Sequence, residues 1–235
     1  MRIAVVDDDN DLAEFVYHSM RESGHGCDRF ASGAALLAAL RRETFDLLLL
    51  DWHLPDISGF DLLKQIRAHG DNMTGIVMLT SQSGKEEIAE ALRLGADDYI
   101  VKPESASVIA ARVEAVCRRS RPDHSRNRSR FLKFGTYEFD RLTESISIGF
   151  EQVVVNSKEF ALALMLFENI HRPLSRGYLL ETVWQANPDL PTRTLDVHVS
   201  RIRTKLRLRP ENGFRIAAIA GYGYRMERFS QGDEC

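Results

Sequence analysis

Four consecutive leucines, Leu47 to Leu50, run straight into Asp51, and no other stretch limits the fold as tightly. An unbroken apolar run of strand length, beginning near Phe45, fits a strand buried on both faces at the centre of a parallel sheet. A carboxylate at the end of such a strand costs several kcal/mol to bury unless a cation or hydrogen bonds compensate. Pro55 and Gly59 punctuate the loop that follows, ahead of the helical pattern Phe60, Leu62, Leu63 and Ile66. Taken alone, Asp51 could simply cap a loop. The other strand ends decide between the two readings.

Short apolar runs alternate with amphipathic ones through the first half of the chain. Strands are expected over 3–6, 27–30, 45–50, 76–79 and 99–101. Helices are expected over 12–21, with Leu12, Phe15, Val16 and Met20 on one side, and over 34–40, 60–68, 86–94 and 108–118. Five β-then-α units predict a parallel sheet with helices on both faces, and right-handed crossovers leave few topologies.

Ligands of such sheets bind outside the carboxyl ends of the strands, at the switch point of strand order. The first strand ends in Asp7-Asp8-Asp9, the third in Asp51, the fourth in Thr80-Ser81 and the fifth in Lys102-Pro103. Neighbouring carboxylates repel one another and gain proton affinity unless a cation sits among them. Oxygen ligands and water suit Mg²⁺, a hard ion that bridges carboxylates to a phosphoryl oxygen. A carboxylate so placed can attack phosphorus to give an aspartyl phosphate. The charge of the transferred group then calls for a fixed ammonium, Lys102, and a hydroxyl donor, Thr80. Each residue has an ordinary alternative, a helix cap for the aspartates or a surface position for the lysine. Their arrival on one edge together favours a site.

A chain of 235 residues accommodates two domains of roughly 100 to 130 residues. No apolar run approaches the roughly 18 to 20 residues that cross a bilayer. The opening Met1-Arg2-Ile3-Ala4-Val5-Val6-Asp7 turns acidic too early for a signal peptide. Cys27, Cys117 and Cys235 are odd in number and have no metal-ligand spacing. The expected location is cytoplasmic. Charge divides unevenly: residues 1–120 hold 13 basic and 20 acidic side chains, residues 121–235 hold 18 and 14. An acidic half joined to a basic half fits a cation or regulatory site in one and a polyanion partner in the other.

Residues 118–130 contain six arginines and almost nothing apolar, the composition of a flexible tether. Beyond it, short strands are expected over 132–134, 137–139, 145–148 and 153–155. Asn156-Ser157-Lys158-Glu159 has capping-box spacing ahead of a helix over 160–170. A second helix is expected over 179–184, a turn-rich loop over 185–191, and a third helix over about 192–208. In the third, Leu195, Val199, Ile202 and Leu206 form a core stripe. The opposite side carries Arg193, Val197, Ser200, Arg201 and Thr204, flanked by Arg203 and Arg207. Arginines for phosphates and guanine edges, with an apolar contact for a thymine methyl, suit a major-groove reader. A hairpin around Gly221-Tyr222-Gly223 completes a winged helix-turn-helix pattern.

Residues 1–120 resemble the receiver domain of a bacterial response regulator. The resemblance rests on Val5-Val6-Asp7-Asp8-Asp9, on Asp51 followed by Leu54-Pro55 and Ser58-Gly59, on Leu79-Thr80, and on Gly95-Ala96-Asp97-Asp98-Tyr99 followed by Lys102-Pro103. Residues 131–228 resemble the output domain of the OmpR/PhoB family through Ser157-Lys158-Glu159-Phe160, Val183-Trp184, the run from Arg193 to Arg203, and Gly221, Gly223, Tyr224 and Arg225. The resemblance implies a flavodoxin-like (βα)5 receiver over 1–118, a flexible basic linker over 119–130 and a winged helix-turn-helix α+β domain over 131–229.

It also implies roles. Asp51 would be the phosphoacceptor of a partner histidine kinase. Asp7, Asp8, Asp51 and the His53 backbone carbonyl would hold Mg²⁺. Thr80 and Lys102 would contact the phosphoryl group, and Tyr99 would turn inward as Thr80 moves. A homodimer would form on activation through a face holding Ile88, Asp98, Val108 and Arg112. Ile88 and Val108 are apolar where relatives carry charges, and Glu104 stands where an aromatic is common. Thr194, Val197, Arg201 and Arg203 would enter the major groove of promoter DNA. Ser200 and Ala220 replace basic residues common in the family, so Arg225 or Tyr222 would share the wing's anchoring. The 185–191 loop would meet RNA polymerase. The expected function is phosphorylation-dependent transcriptional regulation without enzymatic turnover. Two alternatives are a protein-interaction adaptor that no longer uses DNA, and a Mg²⁺-dependent phosphohydrolase. The phosphohydrolase is disfavoured because His53, not a second acid, stands two residues after Asp51.

Overall fold

The computed structural model describes residues 1–68, 73–81, 85–120, 129–185 and 193–229. Most of the expected linker and of the 185–191 loop therefore lies outside the described residues. The chain divides into two compact units, one N-terminal and one C-terminal. Among the described residues no helix is long and apolar enough to cross a membrane.

The N-terminal unit alternates β1 (Arg2–Val6), α1 (Asn10–Glu22), β2 (Gly26–Phe30), α2 (Gly33–Leu40), β3 (Leu47–Asp51), α3 (Gly59–Ala68), β4 (Gly75–Thr80), α4 (Lys85–Arg93), β5 (Asp98–Val101) and α5 (Ala106–Ser120). The five strands are parallel in the order β2-β1-β3-β4-β5. Strand pleating explains the leucine run. Leu47 and Leu49 pack with Ile3, Val5 and Val77 against α1 and α5, whereas Leu48 and Leu50 pack with Ala4, Val6 and Met78 against α2, α3 and α4. All four are fully buried, each stabilising the fold by about 1.5–3 kcal/mol before chain entropy is counted.

One expected helix face is corrected. Phe15 is 43% exposed, and α1 instead buries Ala13, Val16 and Met20, with Leu12 and Tyr17 at the margin. The small Ala13 lets the helix lie close to the sheet, and that rotation turns Phe15 outward.

The C-terminal unit opens with the antiparallel sheet β6 (Phe131–Phe134), β7 (Tyr137–Asp140), β8 (Ser145–Ile148) and β9 (Glu151–Val153). The fourth strand begins two residues earlier than expected, and Val154 is 85% exposed, outside the ladder. The two-residue turn Gly149-Phe150 sets that register by pairing Ile148 with Glu151. Gly149 takes φ +60°, and a glycine at the first turn position matches the twist of a tight hairpin.

Helix α6 (Ser157–Glu168) starts early because Asn156 closes a reciprocal capping box with Glu159. Next come β10 (Leu174–Ser175), α7 (Arg176–Trp184) and α8 (Arg193–Lys205), then β11 (Phe214–Ile219) and β12 (Gly223–Arg228) in a sheet ordered β10-β12-β11. Ser175 caps α7, which starts three residues ahead of the expected position. Helix α8 ends at Lys205, short of the expected 208, because Arg207 adopts φ +51°. The core stripe survives: Leu195, Val199, Ile202 and Leu206 are fully buried.

Candidate functional site

At the carboxyl edge of the N-terminal sheet, β1, β3, β4 and β5 deliver Asp7, Asp51, Thr80 and Lys102. Asp7, Asp51 and Thr80 are all under 10% exposed. The Lys102 ammonium donates to Asp7 Oδ2 at 2.7 Å and to Asp51 Oδ1 at 2.6 Å. Its own backbone N–H donates to the Thr80 carbonyl at 2.7 Å, so the chain after β5 continues the β4 ladder and brings the lysine over the edge. The Lys102–Pro103 peptide is cis. Asp7 also accepts from the Asp9 N–H at 3.0 Å, while Asp9 caps α1 through the N–H groups of Asp11 and Leu12. Asp9 thus serves the helix, and Asp8 reaches the cluster.

One ligand oxygen from each of Asp7, Asp8 and Asp51 can be chosen so that all lie within 4.8 Å of one another. Three carboxylates against one ammonium leave an excess of negative charge. Burial raises the proton affinity of Asp7 despite its bond to Lys102. Burial would lower that of Lys102, but its bonds to Asp51 and Asp7 outweigh it and hold the ammonium charged. A surplus of acid oxygen in a half-open edge is the donor set of a hard divalent cation.

The loop after β3 is held close. Trp52 N–H donates to the Leu79 carbonyl and Gly59 N–H to the Trp52 carbonyl, both at 2.9 Å. A Cβ on Gly59 would lie 2.1 Å from the Asp51 carbonyl oxygen, so only glycine lets α3 begin against the phosphoacceptor candidate. Asp56, which the sequence reading left without a role, caps α2 by accepting from Gly33 and Ala34 at 3.0 and 2.8 Å.

The second candidate surface is α8 with the hairpin β11–β12. Arg193, Thr194, Val197, Ser200, Arg201 and Thr204 are exposed, opposite the buried stripe. Among the described residues Arg193 and Arg201 make no ion pair. Arg203 faces elsewhere: it is half-buried, donates to the Ile216 carbonyl at 2.7 Å and lies over the Tyr224 ring. Arg225 is bound to Glu227 at 2.6 Å, and Arg215 binds the same carboxylate. A cluster not foreseen from sequence ties the helix to its surroundings. Asp196 accepts from the Tyr224 hydroxyl and from Arg176, and both partners lower its proton affinity.

Comparison with known proteins matches residues 3–114 to the response regulator receiver domain and residues 151–226 to the C-terminal domain of transcriptional regulatory proteins. The sensory transduction protein RegX3 of Mycobacterium tuberculosis is 35% identical over 225 residues, covering 96% of this chain and 98% of that protein. The phosphate regulon transcriptional regulatory protein PhoB of Rhizobium meliloti is 34% identical over 227 residues, with the same coverage of both chains. A solved structure of the Thermotoga maritima OmpR/PhoB homologue DrrB aligns at 29% identity and TM-score 0.46, covering 96% of this chain and 98% of that one.

The chain belongs to the OmpR/PhoB family of response regulators. It carries a receiver and a DNA-binding winged helix domain, as the sequence reading expected. On the OmpR/PhoB receiver, Tyr99 is half-buried against the core under α2–α4, and His53 is exposed beside Asp51. Arg112 Nη1 bonds both Asp98 oxygens at 3.1 and 3.0 Å. Ile88 of α4 and Val108 of α5 are both half-buried. Leu92 and Val101, 42% and 36% exposed, are large apolar side chains that the sequence reading did not single out. Their exposure depends on where the helix and strand end, which residue spacing alone does not fix.

Proposed function

We propose that this response regulator is switched by phosphorylation of Asp51 and binds promoter DNA as a dimer. The observation that carries the reading is the single ammonium of Lys102 held within 2.7 Å of both Asp7 and Asp51, beside the further acid Asp8. A cytoplasmic histidine kinase is the donor. An Asp51 carboxylate oxygen forms a bond to phosphorus as the P–N bond of the kinase phosphohistidine breaks and the imidazole leaves. Asp7, Asp8 and Asp51, with the His53 backbone carbonyl, would hold Mg²⁺, which would supply positive charge to offset that of the transferred group. Lys102 then exchanges its bond to Asp51 for one to the phosphoryl group, and Thr80 supplies a hydroxyl donor.

Movement of Thr80 draws Tyr99 inward and reshapes the face of Ile88, Asp98, Val108 and Arg112. That face favours the homodimer, which sets two α8 helices against half-sites about one DNA turn apart. Val197, Ser200, Arg201 and Thr194 read the major groove, and Arg193 and Thr204 flank them. Arg203 supports the helix from the hairpin side. Arg225, compensated by Glu227, anchors the wing only weakly. RNA polymerase is the partner of the 185–191 loop.

Incubation with a small-molecule phosphodonor and Mg²⁺, followed by intact mass spectrometry, tests the reading. One phosphoryl group on the wild type and none on Asp51→Asn is expected. Equal labelling of both would move the phosphoacceptor elsewhere.

A further inference from the structure

The loop between β3 and α3 leads from the end of the phosphoacceptor strand, past the His53 carbonyl, to the start of α3. Its ends are fixed to their surroundings by the Trp52 N–H on the Leu79 carbonyl and the Gly59 N–H on the Trp52 carbonyl. A different element holds its middle. The two Asp56 carboxylate oxygens accept separately, Oδ1 from the Gly33 N–H at 3.0 Å and Oδ2 from the Ala34 N–H at 2.8 Å, in the first turn of α2. Among the described residues no other hydrogen bond ties residues 53–57 to another element. The Ala34 N–H, and after it the Gly33 N–H, hold the Asp56 carboxyl below its ordinary range against the opposing effect of burial. An anion at a helix N-terminus is favoured in this way.

Packing repeats the attachment. Gly33 is buried, and a Cβ there would lie 2.3 Å from Ile57 Cγ2, so glycine lets the first turn of α2 lie directly on the loop. Leu54 and Ile57 in turn pack on the core under α2, α3 and α4. Helix α2 has its own start signal besides. The Ser32 hydroxyl accepts from the Ala35 N–H and the Ser32 carbonyl from the Leu36 N–H, both at 3.2 Å, the ordinary work of an N-cap serine. The helix therefore has a cap without Asp56, whereas the middle of the loop has no comparable second tie. Dependence runs from loop to helix.

We infer that Asp56 is a positioning residue of the receiver site, fastening the middle of the β3–α3 loop to α2 and so setting the place of the His53 carbonyl relative to Asp7, Asp8 and Asp51. The inference rests on the reading of those oxygens as a Mg²⁺ site. A group that orients a metal ligand from behind governs affinity without touching the ion.

Calorimetric titration of the unphosphorylated full chain with Mg²⁺ tests it, comparing wild type, Asp56→Ala, Asp56→Asn and Ser32→Ala, with melting temperatures read on the same samples. Asp56→Ala should weaken Mg²⁺ binding by about three- to tenfold, less than the roughly 10- to 100-fold lost with a partner bonded to a ligand itself. Asp56→Asn keeps one acceptor oxygen and should recover part of that affinity. Ser32→Ala should melt lower, as loss of a cap requires, and bind Mg²⁺ as the wild type does. Phosphoryl uptake by Asp56→Ala from a small-molecule donor should slow at limiting Mg²⁺ and return to the wild-type rate at saturating Mg²⁺. Equal Mg²⁺ affinity in Asp56→Ala and wild type would overturn the assignment. An equal loss in Ser32→Ala would also overturn it, by making the effect one of helix stability. Absence of Mg²⁺ binding by the wild type would instead remove the metal reading on which it stands.

Discussion

Lys102 stands between two carboxylates that would otherwise repel, and this small balance of charge holds the receiver site together. Its neighbour across the loop, Gly59, matters for space alone. Gly59→Ala forces a Cβ to within 2.1 Å of the Asp51 carbonyl oxygen, so the β3–α3 loop must shift. Overpacking of this kind costs about 1–3 kcal/mol. The variant should melt lower and take up less phosphoryl group from a donor, both read on the purified full chain. Glu159 gives a second test, in the other domain. Burial raises its carboxyl, but Lys205 at 2.6 Å and the Asn156 N–H outweigh burial and hold it below 4.5. A lowered carboxyl contributes its full stabilisation above pH 4.5 and loses it as pH falls through the folded value. Denaturant midpoints of the wild type should therefore fall below pH 4.5, and Glu159→Gln should flatten that limb. Asp51, Thr80 and Lys102 were legible in the sequence because strand ends in a parallel sheet share one edge. The Asp196–Arg176–Tyr224 cluster was not, because its members come from three elements whose approach no local pattern encodes.

At the scale of elements, the leucine strand carries the N-terminal domain. Leu49→Ala removes a fully buried side chain packed between β1, α1 and α5, and should cost about 2–5 kcal/mol in equilibrium unfolding. A loss under about 1 kcal/mol would mean the sheet centre repacks freely. Helix α8 is fixed from both sides, by its apolar stripe below and by Arg203 reaching the hairpin. Arg203→Ala should lower DNA affinity with little change in preferred sequence, whereas Arg201→Ala should alter preference, as selection from a random pool would show. Element types were readable from periodicity through almost the whole described chain. Boundaries were less so, for physical reasons that differ by place. Val154 left the ladder because Gly149-Phe150 set the register, and α8 stopped early because Arg207 turned left-handed. Phe15 faced outward because the smaller Ala13, not Phe15, was the residue that met the sheet.

At the scale of the whole molecule, an acidic receiver and a basic output domain give one chain two separate electrostatic tasks. Leu92 and Val101 leave large apolar side chains exposed on the receiver, whose proposed dimer face holds Ile88, Asp98, Val108 and Arg112. Such a surface lowers the cost of dimerisation before phosphorylation. Sedimentation of the unmodified chain should therefore show a dimer fraction that grows with concentration and grows further with a phosphoaspartate mimic and Mg²⁺. Identical distributions with and without the mimic would remove phosphate control of assembly. One phosphoryl group on Asp51 is proposed to govern DNA recognition. Binding to a genome-derived DNA pool, with and without phosphodonor and Mg²⁺, for wild type and Asp51→Asn, tests it most directly. Phosphodonor should enrich particular sequences for the wild type alone; the same enrichment in all four conditions would remove phosphate control of DNA recognition.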